Sequence, residues 1–203
     1  MLPKFYPEIF FPGAQVTTRF GWDLEPPGPR IHHAIDKAGR GIVCAPFGFE
    51  RVEWIDRDAL GCSVLRCFAD SGQIELRILH FLKAELSPGL ADAISRGRGL
   101  PAGAPLAPAG NVGLSLSRSG GDGRHVHYSL LLDHTAYGLE MTSLRPGWGV
   151  DKRAEFTKRY GPEFEADCKR RQVRWISEVA CGKHDPWTQR ERVIVDSMAF
   201  FGF

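Results

Sequence analysis

His32 and Asp36 in the run Ile31-His32-His33-Ala34-Ile35-Asp36, His80 in Ile78-Leu79-His80-Phe81, and the pair in His125-Val126-His127 are the residues whose types and spacing can do chemistry. Imidazole and carboxylate groups of this kind serve a catalytic zinc. Such a centre takes three protein ligands, leaves its fourth position to water, and is helped by further side chains that handle protons or charge. Five residues are enough for both tasks. The His-x-His triplet is the strongest piece, because residues two apart on a strand project side by side toward one ion. Its plain alternative is two exposed histidines on an edge strand. His-x-x-x-Asp is weaker on its own, since a local hydrogen bond has the same spacing. An imidazole and a carboxylate nevertheless bind zinc without neutralising it fully, which preserves its Lewis acidity. His33 could replace His32, but adjacent side chains on an extended segment face opposite ways, so only one fits and His32 is preferred. His80 taken singly reads as a partly buried, hydrogen-bonded histidine. The three pieces gain weight together because all fall in strand-like sequence.

The elements that must position them are short strands. From Gln15 to about Leu132 the sequence alternates strand-like runs with glycine, proline and aspartate turns and has no long helical period, which predicts an all-β core. Gly41-Ile42-Val43-Cys44 and Arg51-Val52-Glu53-Trp54-Ile55 read as strands. Ser63-Val64-Leu65-Arg66-Cys67-Phe68 and the run from Gln73 to His80 flank Ala69-Asp70-Ser71-Gly72 and predict an antiparallel hairpin. Alternation then puts Ile74, Leu76, Ile78 and His80 on one face. Residues 87–108 are rich in proline and glycine and read as a long loop that could wall a site, with at most a short helical turn at Leu90-Ala91-Asp92-Ala93-Ile94. Ala109-Gly110-Asn111-Val112-Gly113 reads as a tight turn, Leu114-Ser115-Leu116-Ser117 as a strand and residues 119–123 as a hairpin tip. The tip delivers a final strand in which His125 and His127 point to the same side.

After Arg145-Pro146-Gly147-Trp148-Gly149 the pattern changes. Residues 151–180 are charged, with Phe156, Tyr160, Phe164, Cys168, Val173, Ile176 and Val179 recurring mostly at three- and four-residue steps, which predicts helices broken at Gly161-Pro162. A further helix is expected from Trp187 to Phe200. The expected division is a β-strand domain over residues 1–147, with its core at about 12–132, and a helical C-terminal extension over 148–203.

On these residues the chain resembles the LytM/lysostaphin-like zinc endopeptidases of peptidoglycan. That family opens with S/T-R-F-G ahead of His-x-Gly-x-Asp, continues through a G-V strand pair, a histidine near a strand end and a G-x-T-G turn, and closes on His-x-His. Here Thr18-Arg19-Phe20-Gly21 precedes His32 and Asp36, Gly110-Asn111-Val112-Gly113 stands at the turn, and His125-Val126-His127-Tyr128 at the close. The resemblance implies a mainly β fold, an antiparallel sheet of LytM-like type, to which this chain adds its C-terminal α-helical extension. It implies Zn2+ held by His32, Asp36 and His127, with His80 and His125 as catalytic histidines that are not ligands. One of these would take the water proton or steady the nucleophile; the other would stabilise the oxyanion and help protonate the departing amine. Ala34 departs from the family's usual glycine, Val112 from its threonine, and residues 87–108 and 120–124 are longer than the corresponding loops, departures that bear on substrate preference more than on metal binding.

Bulk properties narrow the partners. With 43% hydrophobic residues over 203 positions the chain can bury a core as one domain, or one domain with an appendage. A formal net charge of +2 lacks the clustered positive charge of a nucleic-acid binder. Lys169-Arg170-Arg171 lies beside Glu163, Glu165 and Asp167 and reads as a solvated helix face, so no nucleic acid is expected. A zinc nuclease built on His32-His33 would also need an asparagine-histidine helix that is missing. Cys44, Cys62, Cys67, Cys168 and Cys181 show no Cys-x-x-Cys spacing and read mostly as core residues. The first residues have no charged region leading into an apolar one, and no segment is long and apolar enough to span a bilayer, so neither a signal peptide nor membrane insertion is expected. The expectation is therefore a phage-encoded enzyme made in the cytoplasm and acting at the cell wall. It would cut peptide stems or cross-links of bacterial peptidoglycan, released at lysis or carried as a virion component that docks on tail or baseplate proteins through its C-terminal helices. The alternative is a non-catalytic structural or docking module of the same fold in a phage tail assembly; such relatives typically lose metal ligands, which this chain keeps.

Overall fold

Short β-branched and aromatic runs between turn residues give a mainly antiparallel β structure, as expected. The computed structural model describes residues 3, 6–18, 21–23, 30–32, 34–58, 61–113, 122–133, 135–136, 182–185 and 190–195. In chain order the elements are α1 (Pro7–Phe10), β1 (Gln15–Thr18), β2 (Gly21–Asp23), β3 (Arg30–His32), β4 (Ile35–Ala38), β5 (Ile42–Cys44), β6 (Arg51–Ile55), β7 (Val64–Ala69), β8 (Ile74–Leu79), α2 (Pro88–Arg96), β9 (Pro105–Pro108), β10 (Val126–Asp133), β11 (Gly182–Asp185) and β12 (Arg190–Val195). A single 3-10 turn occupies Lys83–Glu85. The chain divides into two compact units, one of Met1–Thr17 with Asp36–Tyr128 and one of Thr18–Ile35 with Ser129–Phe203.

The strands of one sheet run in the order β1-β4-β10-β8-β7-β6. The expected hairpin is there: β7 and β8 pair from Val64↔Leu79 to Ala69↔Ile74, joined through Asp70, Ser71 and Gly72 at φ of 50°, 55° and 77°. Leu65 and Cys67 on β7 and Ile74, Leu76 and Ile78 on β8 are fully buried on one face and form the core. The other face buries charge. Glu75 accepts from Arg66 Nε at 2.7 Å and from Arg77, and Arg66 reaches on to Glu53 at 3.0 Å. Arg66 and Arg51 lie over the Phe68 ring at 4.9 and 4.3 Å. Each buried charge thus has its counter-charge and hydrogen bonds, which is the condition for tolerating it.

Two elements correct the reading of residues 87–108 as a loop. Pro88–Arg96 is a helix with a full set of end signals: Ser87 Oγ accepts from the Leu90 amide at 3.1 Å, proline stands in the first turn, and Gly97 closes the last turn at φ 61°. Pro105–Pro108 is a strand, pairing with β5 from Ile42↔Pro108 to Cys44↔Pro105 across an irregularity after Val43. Prolines are tolerated at the ends of so short a ribbon.

In the second unit β2 and β3 form a ribbon with Gly21↔His32, Trp22↔Ile31 and Asp23↔Arg30 opposed. From Leu130 on, β10 pairs with β12 (Leu130↔Val195 to Asp133↔Arg192), and β12 pairs with β11 (Gly182↔Val193 to Asp185↔Arg190). This corrects the helix expected from Trp187 to Phe200. The run Arg190-Glu191-Arg192-Val193-Ile194-Val195 ends in three β-branched residues, and pairing with β10 outweighs its helical spacing. The helices expected over residues 151–180, the strand expected over residues 114–117 and residues 119–121 of the expected tip lie outside the described residues. Among the described residues no helix is long and apolar enough to cross a membrane.

Candidate metal centre

The strand pattern gives out at His80. Ile74, Leu76 and Ile78 share a buried face as alternation predicts, but β8 ends at Leu79 and His80 follows with φ +76°. That left-handed conformation costs a residue with a Cβ about 1–2 kcal/mol and persists only where the surroundings over-determine it. They do so from two sides. On one, the His80 amide donates to the Ser63 carbonyl at 3.2 Å while the buried Ser63 hydroxyl donates to the Phe81 carbonyl at 2.6 Å. On the other, Val112 donates its amide to the His80 carbonyl at 3.1 Å and accepts from His80 Nδ1 at 2.9 Å. Gly110 makes this closeness possible, since a Cβ there would lie 1.9 Å from the His80 carbonyl oxygen. His80 is thus seated by a turn, and its alternation with β8 is incidental.

His125 is seated by the same turn. Its amide donates to the Gly110 carbonyl at 3.0 Å, and its Nδ1 donates to the Gly123 carbonyl at 2.8 Å. A carbonyl only accepts, so the neutral forms of both imidazoles carry their proton on Nδ1 and the lone pair on Nε2. The His80 and His125 rings stand 4.5 Å apart at a tilt of 48°. The His127 ring meets His80 edge-on at 5.7 Å. Burial pushes the His80 pKa down to about 4, with the neighbouring His125 and His127 acting in the same direction, and the Val112 carbonyl and Asp36 only partly offsetting them. His80 is therefore an uncharged imidazole at neutral pH.

Asp36 sits on β4 and His127 on β10, strands adjacent in the sheet, with His127 Nδ1 2.9 Å from Asp36 Oδ1. One donor atom each from His32, Asp36 and His127 lie within 4.8 Å of one another. It is the single group of this kind among the described residues. His32 and Asp36 are buried, whereas His127 keeps a quarter of its side chain exposed. The set fits zinc: two imidazoles and a carboxylate are its usual open-site ligands, and 2.9 Å comes within a few tenths of the about 3.3 Å that separates two ligands of a tetrahedral ion with bonds of ~2.05 Å. All five residues singled out in the sequence meet here, with His80 and His125 beside the His-Asp-His group. His33 lies outside the described residues.

Sequence reasoning missed the groups that hold this arrangement. Ser63 gave no signal, because nothing in its neighbours announces that its hydroxyl will bond a carbonyl 18 residues on. The two-sided use of the Val112 backbone is independent of its side chain. Glu85 and Arg124, which form a bidentate pair at 2.9 Å on both arms, were also passed over.

No known family matches the chain's sequence, and no curated protein does. Among solved structures the chain is similar to LytU, at 25% identity over 60% of this chain and 75% of that one with a TM-score of 0.46. The catalytic domain of the antimicrobial peptidase lysostaphin from Staphylococcus simulans is similar at 17% identity, covering 59% of this chain and 80% of that one with a TM-score of 0.44. A zinc-containing peptidase from Vibrio cholerae matches at 19% identity over 64% of this chain and 37% of that one, also with a TM-score of 0.44. Likenesses of this degree bear no weight for function, which rests on the side-chain geometry.

Proposed function

We propose that this chain is a zinc metalloendopeptidase that hydrolyses peptide stems or cross-links of bacterial peptidoglycan, its peptidase core spanning about residues 12–132. The observation that carries the reading is the meeting of a His-Asp-His donor group with two further imidazoles of fixed tautomer. Held by His32, Asp36 and His127, zinc would supply Lewis acidity, drawing a water toward hydroxide near neutral pH and polarising a carbonyl. The protein does the rest. Asp36 brings one negative charge to the ligand set and leaves the centre cationic. His80, kept neutral by burial, presents Nε2 as an acceptor for the proton of the attacking water, and its clamped backbone keeps that nitrogen from wandering. His125 stands against it at 4.5 Å and in its protonated form can stabilise the oxyanion and hand a proton to the departing amine.

The phage setting, the virion and tail-protein docking through residues 148–203 find no support in the structure or in the likenesses, and the proposal is made without them. The test is zinc content together with turbidity loss of purified peptidoglycan, for the wild type and for His127→Ala, with soluble fragments identified by mass. About one zinc per chain, lost in the variant along with release of cut stem peptides, is the expected result. Zinc without cleavage on any wall type would point to a non-catalytic module, and a chain that binds no zinc would end the reading.

A further inference from the structure

Arg124 stands immediately before His125 and reaches away from it. Its guanidinium grips Glu85 with both arms, Nη1 to Oε2 and Nη2 to Oε1, each at 2.9 Å, and Nη1 also donates to the Ala109 carbonyl at 3.3 Å. Nε lies 3.3 Å from Asp122 Oδ2, and the Arg124 amide donates to Asp122 Oδ1 at 3.1 Å. These partners sit on the segments that seat the catalytic pair. Glu85 ends the 3-10 turn that follows His80. Ala109 precedes Gly110, the residue that presses on the His80 peptide and accepts from the His125 amide. One side chain therefore ties together the segment leaving His80, the segment entering the glycine turn and the segment entering His125.

Direction matters as much as attachment. Successive side chains on extended backbone point to opposite sides, and His125 already bridges to Gly110 in antiparallel fashion at the start of β10. Pulling Arg124 toward Glu85 thus sends His125 the other way, toward His80. Without that pull, the ring contact His125 keeps within its own segment is the bond to Gly123, two residues back, which moves with the loop and fixes nothing against His80.

We propose that Arg124, through its forked pair with Glu85, is a positioning residue that sets the seat of His125 against His80; the inference rests on the peptidase reading for its catalytic consequence but not for its geometry. Both partners are about a third exposed, and exposed pairs contribute little to global stability. The signature is accordingly a loss of turnover with stability and metal content nearly untouched.

The experiment uses the zinc-loaded full chain as wild type, Arg124→Ala, Glu85→Ala and the double variant. Turnover and KM are measured on a soluble cross-linked muropeptide, Tm and zinc content on the same samples, and the His125 ring by two-dimensional NMR of its imidazole nitrogens. Each single variant is expected to lose about tenfold or more in kcat with KM within about twofold. The double variant should be no worse than either single one, with Tm shifted by no more than a few degrees. In all three the His125 ring nitrogens should shift as the ring leaves its place 4.5 Å from His80, the Nδ1-protonated tautomer being kept by the Gly123 carbonyl. Losses that add in the double variant, or a His125 ring spectrum unchanged in Arg124→Ala, would overturn the proposal, as would a loss confined to Tm and zinc. If the wild type fails to cut the muropeptide, the peptidase reading falls and the ring spectra alone decide for or against the latch.

Discussion

Replacing Gly110 by alanine strikes the point on which both His80 and His125 lean. The added Cβ would lie 1.9 Å from the His80 carbonyl oxygen and 2.7 Å from its carbon, where real contacts stop near 3.0 Å. Both neighbours are backbone, so no flexible chain end can swing aside, and the His80 peptide or the turn must retreat by about 1 Å. That retreat pulls on the two hydrogen bonds between His80 and Val112, at 3.1 and 2.9 Å. It also pulls on the bond from the His125 amide to Gly110, at 3.0 Å. Overpacking costs about 1–3 kcal/mol and each weakened hydrogen bond about 1 kcal/mol. Gly110→Ala should therefore lose about 4–6 kcal/mol, a Tm drop of about 8–24 °C for a chain of this length. A misplacement of about 1 Å in a catalytic group costs about a hundredfold in turnover. The assay pairs calorimetry with kcat on a soluble muropeptide, measured well below the variant's Tm so that unfolding does not masquerade as lost catalysis. A variant with Tm within about 2 °C of wild type and turnover within about twofold would refute the reasoning, because it would mean the turn is free to move away from His80.

Ser63→Ala removes the hydroxyl that bonds the Phe81 carbonyl and should cost about 1–3 kcal/mol in a thermal melt while leaving zinc affinity unchanged; an unaltered melt would show that side of the clamp to be idle. Glu75 supplies the pH test: burial pushes its carboxyl up, and the hydrogen bonds and charges of Arg66 and Arg77 more than offset this, holding it below its usual 4.5. The unfolded chain then takes up a proton before the folded one, so Glu75 contributes stability above that value and loses it as pH falls through the lower folded pKa. Urea melts across this window should show a shallower acid limb in Glu75→Gln, together with a loss at neutral pH of about 3 kcal/mol from the uncompensated arginines; an unchanged limb would assign it to other carboxylates. His32→Ala, titrated with zinc against a chelator, should lose more affinity than the about 10–100-fold that follows when a group merely orienting a ligand is removed, and a smaller loss would take His32 out of the ligand set.

How much of this was legible in the sequence depended on whether a residue's role is carried by local pattern. The β7–β8 hairpin was readable because two strand-like runs flank Ala69-Asp70-Ser71-Gly72, and the core face of β8 because period two is a property of the run itself. The five chemical residues were readable by type and spacing. What failed did so for tertiary reasons. Pro105–Pro108 looks like loop until β5 lies opposite it, and Arg190–Val195 looks helical until β10 pairs with it. The helix Pro88–Arg96 is a different kind of shortfall, since Ser87, Pro88 and Gly97 spell out both of its ends while the composition suggests no more than a short turn at Leu90-Ala91-Asp92-Ala93-Ile94.

The seating of His80 and His125 carries an argument about chemistry as well as geometry. Each imidazole could have been oriented by a carboxylate, which would raise its basicity and favour the charged ring. Here the contacts at Nδ1 are backbone carbonyls, from Val112 and Gly123. A carbonyl fixes the tautomer without adding a formal charge beside a centre that the proposed zinc would leave cationic. It also cannot be removed by a side-chain substitution, which shifts the sensitive positions to the residues that hold those carbonyls in place. Gly110 and Ser63 act on the His80 side, and the Arg124–Glu85 pair on the His125 side. Of the residues proposed to do the chemistry and those that would hold them in place, only the first group announces itself by type.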